Sequence, residues 1–288
     1  MAGYLIRRLI CRSEMQRVAE LVNKEGWNLS LEYLQTAFVA NPSGWWGAEG
    51  VDGKIVGCCT VFDFEDNASH AGCLVVDEDY RNQMIGKKLK ATLLSKCREK
   101  NTSIMALNST FQEGFKPLHE MQMLTKEKMN VKIPLLLDTK FRVLPVTGAL
   151  LGRVEEYDAR IHPVKRTTFF HKCIIASATS VYIAVDTFSN DVIGYGVLQK
   201  ANKGWKLGPT YADNDDVGYE LFRTLYDEVP EGDDMVVYPY AENHAAIALY
   251  GEIGFICQRT FTLMYSKNPL KIPVEKVYSA VGSSFTPM

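Results

Sequence analysis

Apolar positions along the chain fall into two alternating rhythms, one of period two and one near 3.6, and their succession predicts a string of strands and helices. "YLIRRLI" reads as a strand. In "SEMQRVAELVNKEGW", Ser13 and Gln16 form a capping box, and Met15, Val18, Ala19 and Val22 hold helical spacing, so a helix is predicted from about Glu14 to Glu25. Ser30 caps a second helix through Phe38, ended before Pro42 and Gly44. "GWWGAEGVDGKIVGCCTVFDF" then gives two apolar runs joined at Asp52-Gly53, a hairpin. "AGCLVV" is a further strand, "IGKKLKATLLSKCREK" a helix with Ile85, Leu89, Leu93 and Leu94 on one side, and "SIMALN" another strand. The predicted order is β α α β β β α β.

From Asp138 to Leu151 the pattern weakens, with Pro145, Gly148 and Gly152 breaking it, and a junction is placed there between domains at 1–140 and 150–288. Beyond it, "VKRTTFFHKCIIA" reads as a helix and "VYIAVD", "VIGYGVLQK" and "GWKLGPTYA" as strands. "DDVGYELFRTLYDEV" follows as a helix, "DMVVYPYA" as a strand, "NHAAIALYGEIGF" as a helix and "ICQRTFTLMYS" as a strand. Three strands, helix, strand, helix, strand repeats the grammar of the first part, so the halves read as structural duplicates of an α/β class.

Charge narrows the function. With 32 Lys plus Arg against 34 Asp plus Glu in 288 residues, the net charge of -2 provides no overall field for a nucleic acid or an anionic membrane, and any anion must be held locally. The opening "MAGYLIRRLICRSEMQRVAE" has too short an apolar run for a signal peptide, and no later run reaches spanning length, so a soluble cytoplasmic protein is expected. Seven cysteines, odd in number, without CxxC and mostly in apolar runs, predict neither disulfide nor zinc. The five histidines show no metal-ligand spacing. Asn-x-Ser/Thr triplets at Asn28, Asn67, Asn101 and Asn108 read as chance matches in such a protein.

One stretch bears on chemistry. In "VVDEDYRNQMIGKKL" an apolar strand through Val76 passes by a polar turn into a helix whose first turn holds Lys87 and Lys88, with Arg81 shortly before. Helix N-termini favour acidic side chains, so three cations here suit a site where an anion sits among them, and Gly86 would let backbone approach it. A solvated basic turn is the competing reading.

These residues resemble the coenzyme A loop of the GNAT superfamily of N-acetyltransferases, R/Q-x-x-G-x-G/A. Arg81, Asn82, Gln83, Met84, Ile85 and Gly86 occupy its six places, with Met84 replacing one glycine. "ENHAAIALYGEIGF" resembles the family's late segment N-x-x-A-x-x-L-Y-x-x-x-G-F through Asn243, Ala246, Leu249, Tyr250, Gly254 and Phe255. "KEGWNLSLEYLQTAF" and "WKLGPTYADN" are similar to a tandem group in which a second, divergent GNAT domain follows the first.

The resemblance implies two GNAT-like domains, each a mostly antiparallel mixed sheet flanked by helices. It implies that acetyl-CoA is bound by Val75, Val76, the turn Arg81, Asn82, Gln83, Met84, Ile85, Gly86 and Lys87, and Asn108 at the end of the fifth strand. The second half lacks a basic turn, and Asp213, Asp215 and Asp216 would repel a pyrophosphate, so the coenzyme is expected in the first half only. Aligning Leu118-His119 in "EGFKPLHEMQML", taken as a helix, with the family's Leu-Tyr makes His119 the candidate acid. His70, at the mouth of the fourth strand, and Glu49, in the second, are candidate bases by position. Tyr250 belongs to the half without a coenzyme loop and reads as core or substrate wall. Of Trp45 and Trp46, at most one faces an acceptor pocket.

The expected activity is acetyl transfer from acetyl-CoA to an amine, the acceptor being a small molecule or amino-acid-like compound, with no nucleic acid, membrane or metal. The alternative is a non-catalytic GNAT-fold protein that binds an acyl-CoA or a partner. A dinucleotide-dependent oxidoreductase is disfavoured because no G-x-G-x-x-G follows a strand.

Overall fold

The computed structural model describes residues 3–65, 67–107 and 114–282. The first part runs β1 (Tyr4–Arg8), α1 (Met15–Lys24), α2 (Leu31–Ala40), β2 (Trp45–Gly50), β3 (Ile55–Asp63), β4 (Ala68–Val76), α3 (Ile85–Cys97), β5 (Asn101–Ala106) and β6 (Lys116–Lys126). The second runs β7 (Phe141–Pro145), α4 (Leu151–Ile161), α5 (Thr167–Phe169, continuing as a π-helical turn over Phe170–Ile175), β8 (Ala178–Asp186), β9 (Val192–Lys200), β10 (Trp205–Ala212), α6 (Asp215–Tyr226), β11 (Met235–Val237), α7 (His244–Ile253), β12 (Ile256–Tyr265) and β13 (Val277–Ser279).

Through β5 the observed order is the one the periodicity predicts. The entry to α1 differs in detail: the cap is Cys11, and Glu14, within a 3-10 turn, accepts from the Ile10 and Cys11 amides at 2.7 and 3.0 Å, so Ser13 and Gln16 are not the box. Ser30 caps α2 as expected, accepting from the Tyr33 amide.

Twelve strands form one continuous path, β1-β2-β3-β4-β5-β12-β6-β11-β10-β9-β8-β7, with β13 added beside β10. The path reads the same from either end when β1–β6 and β7–β12 are exchanged, so the halves are related by an approximate two-fold. At its centre the last strand of each half is inserted in the other: β12 pairs with β5, β6 pairs with β11, and β6 and β12 pair with each other around Met121 opposite Phe261. Among the described residues only β4–β5 and β10–β11 are parallel.

Helices α1, α2, α4 and α5 bury Val18, Leu34, Val154 and Phe169 in one core with Met121 and Phe261 on one face. On the other face α3 covers the first half through Leu89 and Leu93, and α6 and α7 cover the second through Leu221 and Tyr250.

Three expectations are corrected. "EGFKPLHEMQML" is not a helix: from Lys116 it is β6, and only residues 107–115 separate it from β5. Pairing on both edges, with Met121 and Met123 buried two apart, outweighs local propensity. The broken stretch 138–151 holds β7, paired with β8 from Phe141 opposite Asp186 to Pro145 opposite Tyr182. Proline is tolerated there because β7 is an edge strand. Helix α4 lay unread in "LGRVEEYDARI", although its buried Val154, Tyr157, Asp158 and Ile161 repeat at helical spacing.

Candidate functional site: two strand gaps and their helix termini

Strands β4 and β5 pair in parallel only from Ala68 opposite Asn101 to Ala71 opposite Ile104. Beyond that point the register of β4 against β3 shifts and Cys73 takes a positive φ of 49°, a bulge that bends β4 away from β5. From there to Val76 the strand keeps its pairing with β3, Val75 opposite Cys58 and Val76 opposite Gly57, while its other edge faces a gap. An extended ligand with amide groups would find a strand edge there, flanked by the half-buried Leu74, Val76 and Met105.

The N-terminus of α3 stands at the open end of this gap. Asp77 caps a short 3-10 turn at Glu78–Tyr80, and Arg17 and Lys24 pair with its carboxylate, fastening α1 to the end of β4. Those cations and the Asp79 amide hold the Asp77 carboxyl below its ordinary range against the opposing effect of burial. Asn82 and Met84 are both left-handed, at φ 63° and 66°, and Met84, the N-cap of α3, supplies no capping side chain. The conformation at residue 84 is one that glycine adopts without strain, which accounts for the resemblance of the turn to a glycine pattern. Met84 is 56% exposed. A Cβ on Gly86 would touch only Val76 Cγ2, at 3.6 Å, so the first turn of α3 is open to an approaching group.

The three cations do not converge as the sequence suggested. Arg81 pairs with Glu25 and donates to the Val76 carbonyl at 3.2 Å, tying the turn to α1. Lys88 lies over the Tyr4 ring at 4.7 Å, and Lys87 is exposed. Val75, Val76 and the residues from Arg81 to Lys87 are thus brought together at one end of the gap, with free helix N–H groups as their common feature. Asn108 lies outside the described residues.

The nominated acid and base groups are not brought together. His70 is fully buried in the paired part of β4, its Nδ1 2.9 Å from Ser103 Oγ, and burial pushes its pKa down to about 3. That position is closed, not a mouth, because β3 and β5 flank it on both sides. Glu49 forms an ion pair with Arg7, which also holds Glu14 at 2.8 Å. His119 stands on β6 opposite Leu263, which also faces Met105 of β5; two strand spacings put its backbone about 10 Å from β5, with buried Leu263 between. Its Nδ1 is 2.9 Å from Glu242 Oε1 and its ring lies edge-on to Tyr240 at 5.7 Å, so the second half orients it. Glu242 and Tyr240 had no sequence signal in this role, since the pairing that brings them to β6 exists only in the assembled sheet. Trp45 is core, and Trp46, on the opposite face, lies between Arg8 and Lys96.

The second half repeats the gap but fills it. Strands β10 and β11 pair only at Trp205 opposite Met235 and Lys206 opposite Val236, and the register of β10 breaks after Leu207. Here β13 pairs with β10, Thr210 opposite Ser279 and Tyr211 opposite Val277, while the Ala280 amide donates to the Tyr238 carbonyl at 2.8 Å. The N-terminus of α6 is capped by Asn214 and carries Asp215 and Asp216. Among the described residues no cluster of His, Cys, Asp and Glu is arranged for a metal, and no helix is long and apolar enough to cross a membrane.

Family models match both halves. Residues 12–118 match the Acetyltransferase (GNAT) family and residues 154–279 an Acetyltransferase (GNAT) domain. The chain belongs to the GNAT superfamily of acetyltransferases, with two domains in tandem. This tandem GNAT protein is 21% identical over 228 residues to holothin acyltransferase of Pseudoalteromonas sp. (strain SANK 73390), covering 78% of this chain and 75% of that one. Its fold is shared with an acetyltransferase candidate from Pyrococcus horikoshii (TM-score 0.78, 16% identity, 99% and 96% of the two chains). It is also shared with a tandem GNAT protein from the clavulanic acid biosynthesis pathway (TM-score 0.65, 10% identity, 93% and 100%).

Proposed function

We propose that this tandem GNAT protein is a cytoplasmic N-acetyltransferase that moves an acetyl group from acetyl-CoA to the amine of a small or amino-acid-like acceptor. Residues 1–140 would bind the donor, and 150–288 would complete the sheet and wall the acceptor site. The observation that carries the reading is the open gap beside β4, ending at a helix N-terminus with no capping side chain and with backbone already in the left-handed conformation at Met84. A pantetheine arm is extended and has two amides, so it suits the free strand edge at Val75 and Val76. A pyrophosphate suits the N–H groups of Ile85, Gly86 and Lys87.

In the reaction the amine nitrogen forms a bond to the thioester carbonyl carbon, the carbon–sulfur bond breaks, and the proton lost by the amine balances the one gained by the departing thiolate. A β4 amide facing the gap would stabilise the oxyanion. His119, with Nδ1 held by Glu242 and Nε2 left to exchange protons, is the candidate for proton transfer. His70, neutral and enclosed, and Glu49, neutralised by Arg7, are weaker candidates.

The test is acetyl-CoA turnover with a panel of amines, read by thiol release, for the wild-type chain, Gly86→Glu and His119→Phe. Turnover absent from Gly86→Glu and slowed in His119→Phe with acetyl-CoA affinity unchanged is expected. An unchanged rate in His119→Phe removes that residue from the mechanism, and tight acetyl-CoA binding by Gly86→Glu removes the site.

A further inference from the structure

We infer that the segment Val274–Gly282 is the resident ligand of the second gap, so that the chain takes up one acyl-CoA instead of two. The inference rests on the proposed function only for the identity of what fills the first gap.

The occupant is held as a ligand would be, along both edges and at both ends. On one side it pairs with β10. On the other, Ser279 Oγ accepts from the Tyr238 amide at 2.9 Å and the Ala280 amide bonds to the strand leaving β11, while the same Ser279 hydroxyl donates back to the Leu207 carbonyl of β10 at 2.7 Å. The two polar residues of the late motif are spent on it: Asn243 Nδ2 donates to the Glu275 and Val277 carbonyls at 2.9 and 3.0 Å, and Tyr250 Oη donates to the Tyr278 carbonyl at 3.0 Å. At the helix terminus, the Tyr278 hydroxyl donates to Asp215 at 2.7 Å, and its ring lies over Gly218 so closely that a Cβ there would fall 2.2 Å from the ring.

Residues Val277 to Val281 are each at most 1% exposed. An acyl-CoA entering this gap would have to uncover all five, strip Asn243, Tyr250 and Asp215 of their partners, and set its phosphates against Asp215 and Asp216. The polar residues Asn243 and Tyr250 of the late segment "ENHAAIALYGEIGF" therefore hold the chain itself.

Hydrogen exchange on the full-length protein, with and without acetyl-CoA, combined with titration calorimetry of wild type and Gly86→Glu, tests this. The amides of 277–280 should exchange at least roughly a hundredfold more slowly than unstructured chain, with no change on adding acetyl-CoA. Wild type should bind one equivalent and Gly86→Glu none. Fast exchange at 277–280, acceleration there by acetyl-CoA, or a second equivalent bound by wild type would each overturn the inference, whereas an equivalent still bound by Gly86→Glu with 277–280 protected removes the first-gap site instead. If wild type binds no acetyl-CoA while 277–280 stays protected, the reading of the first gap fails and the self-occupied second gap stands.

Discussion

The N-termini of α3 and α6 occupy corresponding places in the two halves and have opposite chemistry. Helix α3 begins at an uncapped left-handed methionine, with lysines in its first turn and open space over Gly86. Helix α6 begins at a capping asparagine, with two aspartates and a tyrosine ring pressed on Gly218. The same strand-to-helix arrangement therefore leaves the helix N-terminus open in one copy and sealed in the other. What differs is which groups among the described residues meet the unpaired N–H donors: no capping side chain in the first, the Asn214 side chain in the second.

The largest test of this contrast is Tyr278→Ala. It removes a fully buried ring and the hydroxyl that meets Asp215, and should cost about 3–5 kcal/mol in urea unfolding while leaving acetyl-CoA affinity unchanged. Equal stability would mean that β13 is not an integral part of the second half. Next comes Gly86→Glu. Acetyl-CoA at about 100 times its dissociation constant should stabilise wild type by about 2.7 kcal/mol and this variant not at all, with the ligand-free melting curves close together. A shift in neither protein would reduce the α3 turn to an ordinary loop.

Acid should weaken both halves alike. His70 in the first and His162 in the second are buried, each with a pKa lowered from 6.5 to about 3 by desolvation. A lowered folded-state pKa means that the unfolded chain binds the proton first, so this stability is complete above pH 6.5 and is lost as pH falls toward 3. By pH 5 each histidine should account for about 2 kcal/mol of the loss. Urea midpoints at pH 7.5 and 5 should show that loss, with His70→Gln removing one share and His162→Gln the other. The smallest expected effect is Met84→Gly, which relieves a left-handed non-glycine residue whose side chain is mostly exposed and should stabilise by about 1 kcal/mol. A stability loss there would show that the methionine side chain packs on the turn.

Much of this was legible in the linear pattern. Strands β1 to β5, the helices between them and the repeated grammar follow from periodicities of two and 3.6 in Met15–Val22, Ile85–Leu93 and their neighbours, because each element buries one face and the spacing of its apolar residues records which. The strand-to-helix turn before α3 follows from the same pattern, but the fate of its cations does not, because Arg81 pairs with Glu25 and Lys88 lies over Tyr4. The strand found in place of the expected helix around His119 has a physical origin: β6 owes its conformation to β11 and β12, which lie more than a hundred residues away, and "EGFKPLHEMQML" carries no mark of either. The ion pair of Arg81 with Glu25 is equally remote in sequence.

By itself the sequence determined the types of most elements, β6 and β7 excepted, the duplication and the sign of charge at each helix start, because these depend on near neighbours along the chain. Only the tertiary structure decided that the last strands change places, that Glu242 orients His119, and that one gap stays open while the chain closes the other. Those outcomes depend on which strand edges remain unpaired once the sheet has formed, and burial forces every such edge to find a partner, whether from the chain or from a ligand.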